Sequence, residues 1–459
     1  MSSVARVRNA LHESVSGLPR AFWWLWTSTL INRLGGFVYT FMAIYLTVER
    51  GYSASYAGLV AALFGLGGVL ASLVGGVLTD RWGRRPTMFT AQAATAVAVA
   101  VLGFVTHPVA IAAVAAVVGF VNNAARPAVQ AMLADLVPPE DRVRAFALNY
   151  WAINLGFAVS SVLAGFVAEY SYLAGFLGDA ILTMACAIVV FLKLPETRPE
   201  RPGKGPREDE VGLRTVARDG RFMAVVGLSF LVALVFQEAS VGLPITMGQA
   251  GFSPADYGSA IALNGVLIVV LQIPLTRFIQ HRSPGRLLVL SSLLAGYGLG
   301  LTAFADSMGV LLMTITVWTV AEMVNAPTQT GLVVQLSPVR GRGRYQGVYG
   351  LSWSAAALVA PLMAGAMIDH LGAGWLWGSC AVLGTVAGAG YGVVLRTTKK
   401  AGDPGPASRD SAPVPTPLTP PALGPEAGPE AGPEAGPEGL DIQAPAPGTG
   451  RPAPDVTTS

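Results

Sequence analysis

Amide and ionisable side chains are scarce in the long apolar stretches of this chain, and their spacing there is helical. Glu322, Asn325 and Gln329 lie three and four residues apart, and Asn122 and Arg126 four apart. On a helix each group shares one face. Asn32 adjoins Arg33, Asn122 adjoins Asn123, and Gln237 adjoins Glu238. Carboxylates can take up and release a proton, and amides can hold a polar solute by neutral hydrogen bonds. A guanidinium at changing distance alters a carboxylate's hold on its proton. The chemistry is therefore solute binding with proton exchange. Glu322, Glu238 and Arg33 form the candidate proton-coupling set. Asn32, Asn122, Asn123, Arg126, Gln237, Asn325 and Gln329 are the candidate groups of a polar cavity. Bond-making chemistry has no support, since the chain shows no metal-spaced cluster, no phosphate-cradling glycine loop and no nucleophile elbow. Cys186 and Cys380 sit in apolar runs and read as small buried hydrophobes. No metal site and no cofactor are expected.

The surroundings of these residues resemble the interior of a membrane protein. Apolar residues make up 52% of the chain and charged ones 12%, against roughly a quarter charged in soluble domains. A bilayer core of about 30 Å needs about 20 apolar residues per helix. That window gives runs near 22–46, 55–78, 87–105, 108–130, 145–168 and 171–192. A second set lies near 222–246, 254–278, 287–305, 308–333, 346–368 and 373–395. The first run exceeds the ~7–15 apolar residues of a secretory leader, so it reads as a membrane helix.

Every second gap between runs is basic. Arg81, Arg84 and Arg85 follow the second run, and Arg142 and Arg144 the fourth. Arg198 to Arg221 fill the central gap; Arg277, Arg282 and Arg286 follow the eighth run, and Arg340, Arg342 and Arg344 the tenth. Arg396, Lys399 and Lys400 follow the twelfth, whereas Arg50 is the sole Arg or Lys in the alternate gaps. Cytoplasmic loops are enriched in Lys and Arg, so both termini are expected in the cytoplasm. With these residues assigned to loops, no basic patch is left for a nucleic acid.

The second half repeats the first at a constant offset. Gly251 falls on Gly51, Ser253 on Ser53, Gly258 on Gly58 and Gly265 on Gly65. Pro327 falls on Pro127, Arg344 on Arg144 and Gly365 on Gly165. Repeats with an even number of spans have the same topology and are related by an axis along the membrane normal. The expected organisation is a cytoplasmic segment 1–21, a six-helix bundle 22–194, a cytoplasmic linker 195–220, a six-helix bundle 221–396 and a tail 397–459. The tail is rich in Pro, Gly and Ala and repeats Gly424-Pro425-Glu426-Ala427, a composition that cannot bury enough apolar surface to order itself.

Between the second and third runs stands Gly76-Val77-Leu78-Thr79-Asp80-Arg81-Trp82-Gly83-Arg84-Arg85. This string resembles the loop motif of the major facilitator superfamily of secondary transporters, in which Gly76, Asp80, Arg81, Gly83, Arg84 and Arg85 fill the patterned positions. The resemblance covers roughly residues 20 to 396 and implies an all-α membrane protein of twelve transmembrane helices in two parallel six-helix repeats. It implies that helices 1, 4, 7 and 10, where the polar residues fall, line a central cavity. It also implies that Asp80, at the end of helix 2, binds the start of helix 11, near Arg344, Tyr345 and Gln346, when the cytoplasmic side is closed. Ala321-Glu322 with Pro327, followed by Arg344-Tyr345, looks like a bacterial multidrug-efflux branch, and Leu194-Pro195-Glu196-Thr197 matches a common family ending of helix 6. Two family features of drug–proton antiporters are absent: 112–118 holds no arginine, and Ser160-Ser161 stands where a Gly-Pro pair is usual.

At a rise of about 1.5 Å per residue, Arg33 is expected about 17 Å into its helix, Glu238 about 24 Å in, and Glu322 about 21 Å from the outer face. Arg126 is expected near the cytoplasmic end of its helix, where a long side chain can snorkel. The leading expectation is proton-coupled export of a small amphipathic molecule by a monomer in the cell membrane. A proton symporter importing a peptide or sugar, and a membrane sensor that moves nothing, fit the same residues.

Overall fold

Gly35 and Gly36 divide the first apolar run. The chain is helical as α1 (Arg20–Leu34), breaks at the glycine pair, resumes as α2 (Phe37–Ile44) and passes through a π-helical turn, Tyr45–Glu49. Hydropathy predicts one unbroken helix over 22–46. Glycine weakens a helix interior by roughly 0.5–1 kcal/mol, and two in succession interrupt it here. Every α2 side chain except Tyr39 is buried.

In this computed structural model residues 17–197, 213–338 and 342–401 are described. The expectations for residues 1–16, for linker residues 198–212, for Arg340 and for the tail from residue 402 lie outside the described residues. So do those for the side chains of Arg342, Arg396, Lys399 and Lys400.

The remaining helices of the first half are α3 (Ala54–Trp82), α4 (Arg84–Phe104), α5 (Pro108–Ala124), α6 (Arg126–Leu136), α7 (Arg142–Tyr170) and α8 (Tyr172–Lys193). A short helix α9 (Leu213–Arg218) precedes α10 (Gly220–Gln249), α11 (Pro254–Ile279), α12 (Pro284–Gly300), α13 (Met308–Leu336), α14 (Arg342–His370) and α15 (Ala373–Ala401). Among the described residues there is no strand, and eleven helices are long and apolar enough to cross a membrane. In that number α5 and α6 count together, and the broken first run is not included.

Local sequence sets several helix starts. Ser53 and Ser171 accept hydrogen bonds from the backbone N–H of Tyr56 and Ala174, and Ser253 with Asp256 completes a capping box. Such caps contribute about 1 kcal/mol each. Pro108, Pro254 and Pro284 stand in the first turns of α5, α11 and α12, where the missing N–H costs nothing.

The two halves meet along two seams, α3 against α14 and α7 against α11. A Cβ on Gly58 would strike the carbonyl oxygen of Pro361, and one on Gly258 would strike that of Ser161. Gly365 lies equally close to Ala54, and Gly165 to Pro254. Each contact recurs with the halves exchanged, as the repeat predicts. Only glycine permits backbones this near. The tight contacts all fall towards the end of the bundle that carries Gly51 and Gly251. At the opposite, basic end, Cβ atoms on Gly76, Gly347 and Gly350 would meet nothing within 4 Å. The halves are closed at one end and part towards the other.

One difference breaks the symmetry of the closed end. Asp369, at the end of α14, accepts hydrogen bonds from the N–H groups of Ala54 and Ser55 at the start of α3. The repeat mate of Asp369 is Glu169, which is exposed, and the mate of Ala54 is Pro254, which has no N–H to give.

Candidate functional site

Two adjoining cavities lie where the closed seams give way. The larger, about 530 Å³, is lined from both halves: Tyr39, Met42, Val60, Phe64, Asn123 and Arg126 from one side, and Gln237, Val241 and Trp353 from the other. The smaller, about 360 Å³, lies within the first half and is lined by Asn32, Arg33, Asn122, Asn123, Arg126 and Asp179, among others. Tyr39, Phe64, Asn123 and Arg126 belong to both. The Tyr39 hydroxyl lies 3.0 Å from that of Ser240 on α10, a polar contact between the halves.

The break in the first run shapes this site. It leaves Arg33 at the end of α1 and Tyr39 as the one α2 side chain turned away from the core. The fourth run continues past the expected residue 130 to Leu136, because Pro127 in the first turn of α6 bends the path without ending it. Arg126 therefore stands ten residues, about 15 Å, before that helix end. It lines the cavities, where the sequence placed it near a cytoplasmic helix end.

Asn123 donates through Nδ2 to the Gly119 carbonyl at 2.9 Å, turning its amide along the helix beside Gly68. Asp179 accepts from the Val38 N–H at 3.2 Å through Oδ2 and from the Thr183 hydroxyl at 3.3 Å through Oδ1. Its Oδ2 thus ties α2 to α8, and its Oδ1 is engaged within α8.

The second-half residues are placed differently. Glu322 is half-buried and its Oε2 accepts a hydrogen bond from Asn264 Nδ2 at 2.9 Å. Asn325 donates to the Ser291 hydroxyl on α12 at 3.1 Å. Gln329 donates to Tyr391 on α15 at 2.9 Å and accepts from Tyr349 on α14 at 2.8 Å. Both amides thus join α13 to its neighbours within the second half, and neither lines the two cavities. Glu238 is fully buried, with neither oxygen hydrogen-bonded. It lies near Gly242, beside Leu376 and Trp377 of α15. Arg33 forms no ion pair with either glutamate, and the described ion pairs are Arg84 with Asp80 and Asp135, and Arg144 with Asp141.

The loop string after α3 is organised by residues outside it. Gly83 has φ +107°, a left-handed conformation that favours glycine. It starts α4, whose first N–H groups, on Arg84 and Arg85, bind the two oxygens of Glu196 at 2.8 and 3.1 Å. Arg84 Nε donates to Asp135 Oδ2 at 3.1 Å, and Thr197 donates to the same oxygen at 3.0 Å. Arg85 lies over the Phe191 ring and donates to the Phe191 carbonyl. Asp80 is 80% exposed and, among the described residues, pairs only with Arg84, at 3.7 Å; Arg81 is exposed and Gly76 faces open space. Near the start of α14 a side chain is engaged within the second half. The Tyr345 hydroxyl donates to Asp219, which also caps α10 through the Phe222 N–H. The sequence marked Leu194-Pro195-Glu196-Thr197 as a family ending but gave Glu196 no role. Its signal was legible as a carboxylate placed to meet a helix start. Asp135, Asn264 and Asp369 carried no local pattern.

The sequence profile of the Major Facilitator Superfamily matches residues 25–338 and 225–427. The chain belongs to the Major Facilitator Superfamily. As a member it is a multi-pass membrane transporter and not an enzyme. YqjV of Bacillus subtilis strain 168, an uncharacterized MFS-type transporter, is 27% identical over 77% of this chain and 87% of its own length. The multidrug resistance protein MdtH of Salmonella arizonae is 25% identical over 82% of this chain and 88% of its own length. Among solved folds, a POT family transporter crystallised with 5-aminolevulinic acid superposes with a TM-score of 0.71 at 16% identity, over 85% of this chain and 98% of that one.

Proposed function

We propose that this superfamily member is a proton-coupled exporter of a small amphipathic organic molecule, working by alternating access as a monomer in the cell membrane. The observation that carries the reading is a cavity lined from both halves, sealed at one end by the α3–α14 and α7–α11 seams and parted towards the basic end. With the basic loops on the cytoplasmic side, this is an inward-open state of twelve spans, the first being the broken pair α1–α2, with both termini in the cytoplasm. Similarity to multidrug resistance proteins favours export of a drug-like molecule over import.

Glu322 is the leading proton carrier. It is half-buried and held by one neutral donor, Asn264 of the seam helix α11. A carboxylate so placed changes its hydration when the halves rock, and its proton affinity with it. Glu238, buried without a donor, is the second candidate. Arg33 is assigned a role in the substrate cavity together with Asn32, Asn122, Asn123, Arg126 and Gln237. Asn325 and Gln329 hold α13 in place in this state. Asp80 is the gate carboxylate, released here and bound to the start of α14 when the cytoplasmic end closes.

The test is a flux screen in proteoliposomes under an imposed pH gradient. Glu322→Gln is expected to abolish uphill accumulation and to leave downhill exchange intact. Undiminished accumulation in Glu322→Gln, Glu238→Gln and the double variant rules out these carboxylates as the coupling site. Absence of any gradient-dependent flux across the screen overturns the exporter reading.

A further inference from the structure

Arg33 and Arg126 line one cavity and place two like charges in it. Neither makes a hydrogen bond or ion pair through its side chain among the described residues. Asp179 is the one acidic residue in the same lining, and its two oxygens accept from Val38 and Thr183. A single carboxylate so engaged cannot neutralise two guanidiniums. Glu322 and Glu238 sit on second-half helices and line neither cavity. Arg33 is half-buried and Arg126 is exposed to the cavity, so two like charges face whatever enters, and they repel each other. An anion between them is attracted twice and relieves that repulsion, whereas a cation is repelled twice.

Resting on the reading of this cavity as a transport site, we propose that the transported molecule is an organic anion. Its anionic group is held between Arg33 and Arg126, and its apolar or aromatic body lies against Phe64 and Trp353. The planar guanidinium fork fits the paired oxygens of a carboxylate, sulfonate or phosphate. Beside Arg126 the larger cavity offers Met42, Val60, Phe64, Val241 and Trp353, an apolar wall reached from the charged site without leaving the shared lining. Its volume of about 530 Å³ is in the range of small-molecule sites, about 300–1,000 Å³. The hydroxyl of Tyr39, which belongs to both linings, stands between the two regions as a neutral donor.

Titration calorimetry on the full chain in detergent, with three matched naphthalenes, separates the possibilities. The probes are naphthalene-2-sulfonate, its neutral sulfonamide and the 2-naphthyltrimethylammonium cation. The expected result is a sulfonate affinity at least about tenfold above either isostere, the step one charge-assisted pair gives. Arg33→Gln and Arg126→Gln should each remove that preference while leaving sulfonamide binding in place. Arg33→Lys and Arg126→Lys should keep part of it, since the charge remains and the fork is lost. The wild-type comparison needs no variant and so stands even if a substitution fails to fold. A sulfonate that binds no better than its isosteres, or not at all, overturns the proposal, as does a preference that survives both glutamine variants. Binding requires no proton gradient. Anion selectivity without gradient-driven flux would therefore sink the exporter reading and leave the anion site standing.

Discussion

The Asp369 carboxylate accepts the Ser55 backbone N–H at 2.7 Å and so ties the last turn of α14 to the first turn of α3. Its other oxygen takes the Ala54 N–H at 3.1 Å. A helix start carries about half a positive charge and favours an anion there by ~0.3–1 kcal/mol. Asp369→Asn keeps an acceptor and loses the charge. It should shift the ratio of open to closed forms at this end towards open by roughly fivefold, for about 1 kcal/mol. Pulsed electron resonance between spin labels at Thr106 and Ser307 reads the separation of the halves. An unchanged distance distribution would show that the contact contributes nothing to closure.

Asp80 is the converse case. Exposed and, among the described residues, paired only with Arg84 in this state, it has little to lose here. Asp80→Asn should leave thermal stability within about 0.5 kcal/mol, as for an ordinary surface change. Turnover should fall with expression unchanged, because the substitution weakens the opposite, cytoplasm-closed state. Normal flux in this variant would remove Asp80 from the gate.

Glu196 closes the start of α4 with both oxygens. Glu196→Ala should destabilise the protein by about 1 kcal/mol, the usual loss of a helix cap. Glu196→Gln should lose less, since one acceptor remains. Scanning fluorimetry in detergent measures both, and equal melting temperatures for all three proteins would contradict the assignment.

Glu238 has two buried oxygens with no donor. An unsatisfied buried polar group costs about 1–3 kcal/mol. Glu238→Leu, of similar volume and apolar, should raise the unfolding temperature in the same assay while removing any proton the site carries. A lower unfolding temperature would mean that Glu238 is stabilising where it stands.

The positions of the helices were legible in the sequence because apolar length sets spans and an offset of glycines sets their pairing. Gly58 and Gly258 fell on each other before either was seen to touch the opposite half. The break at Gly35 and Gly36 was not legible, because a hydropathy window averages over two glycines. Spacing placed Asn325 and Gln329 on a shared face, yet it could not say which neighbour that face meets. The face met Ser291 and Tyr391. The depth of Arg126 was not legible, because polarity within a cavity mimics polarity at a membrane surface and Gln130 marks a limit of the apolar run that is not the end of the helix. Partners distant in sequence, such as Asp369 for Ser55 or Asp135 for Arg84, leave no mark on either local stretch.

Proline at 254 in place of the alanine at 54 makes the sealed end lopsided. Wedging apart α7 and α11 breaks close packing and, among the described residues, no hydrogen bond like that of Asp369. Wedging apart α3 and α14 breaks the same contact and also strips a carboxylate of two N–H donors. A lipid tail or water molecule working into this end from the side therefore meets a weak edge and a strong one, and the bundle gives first along α7–α11, like a book that falls open away from its spine.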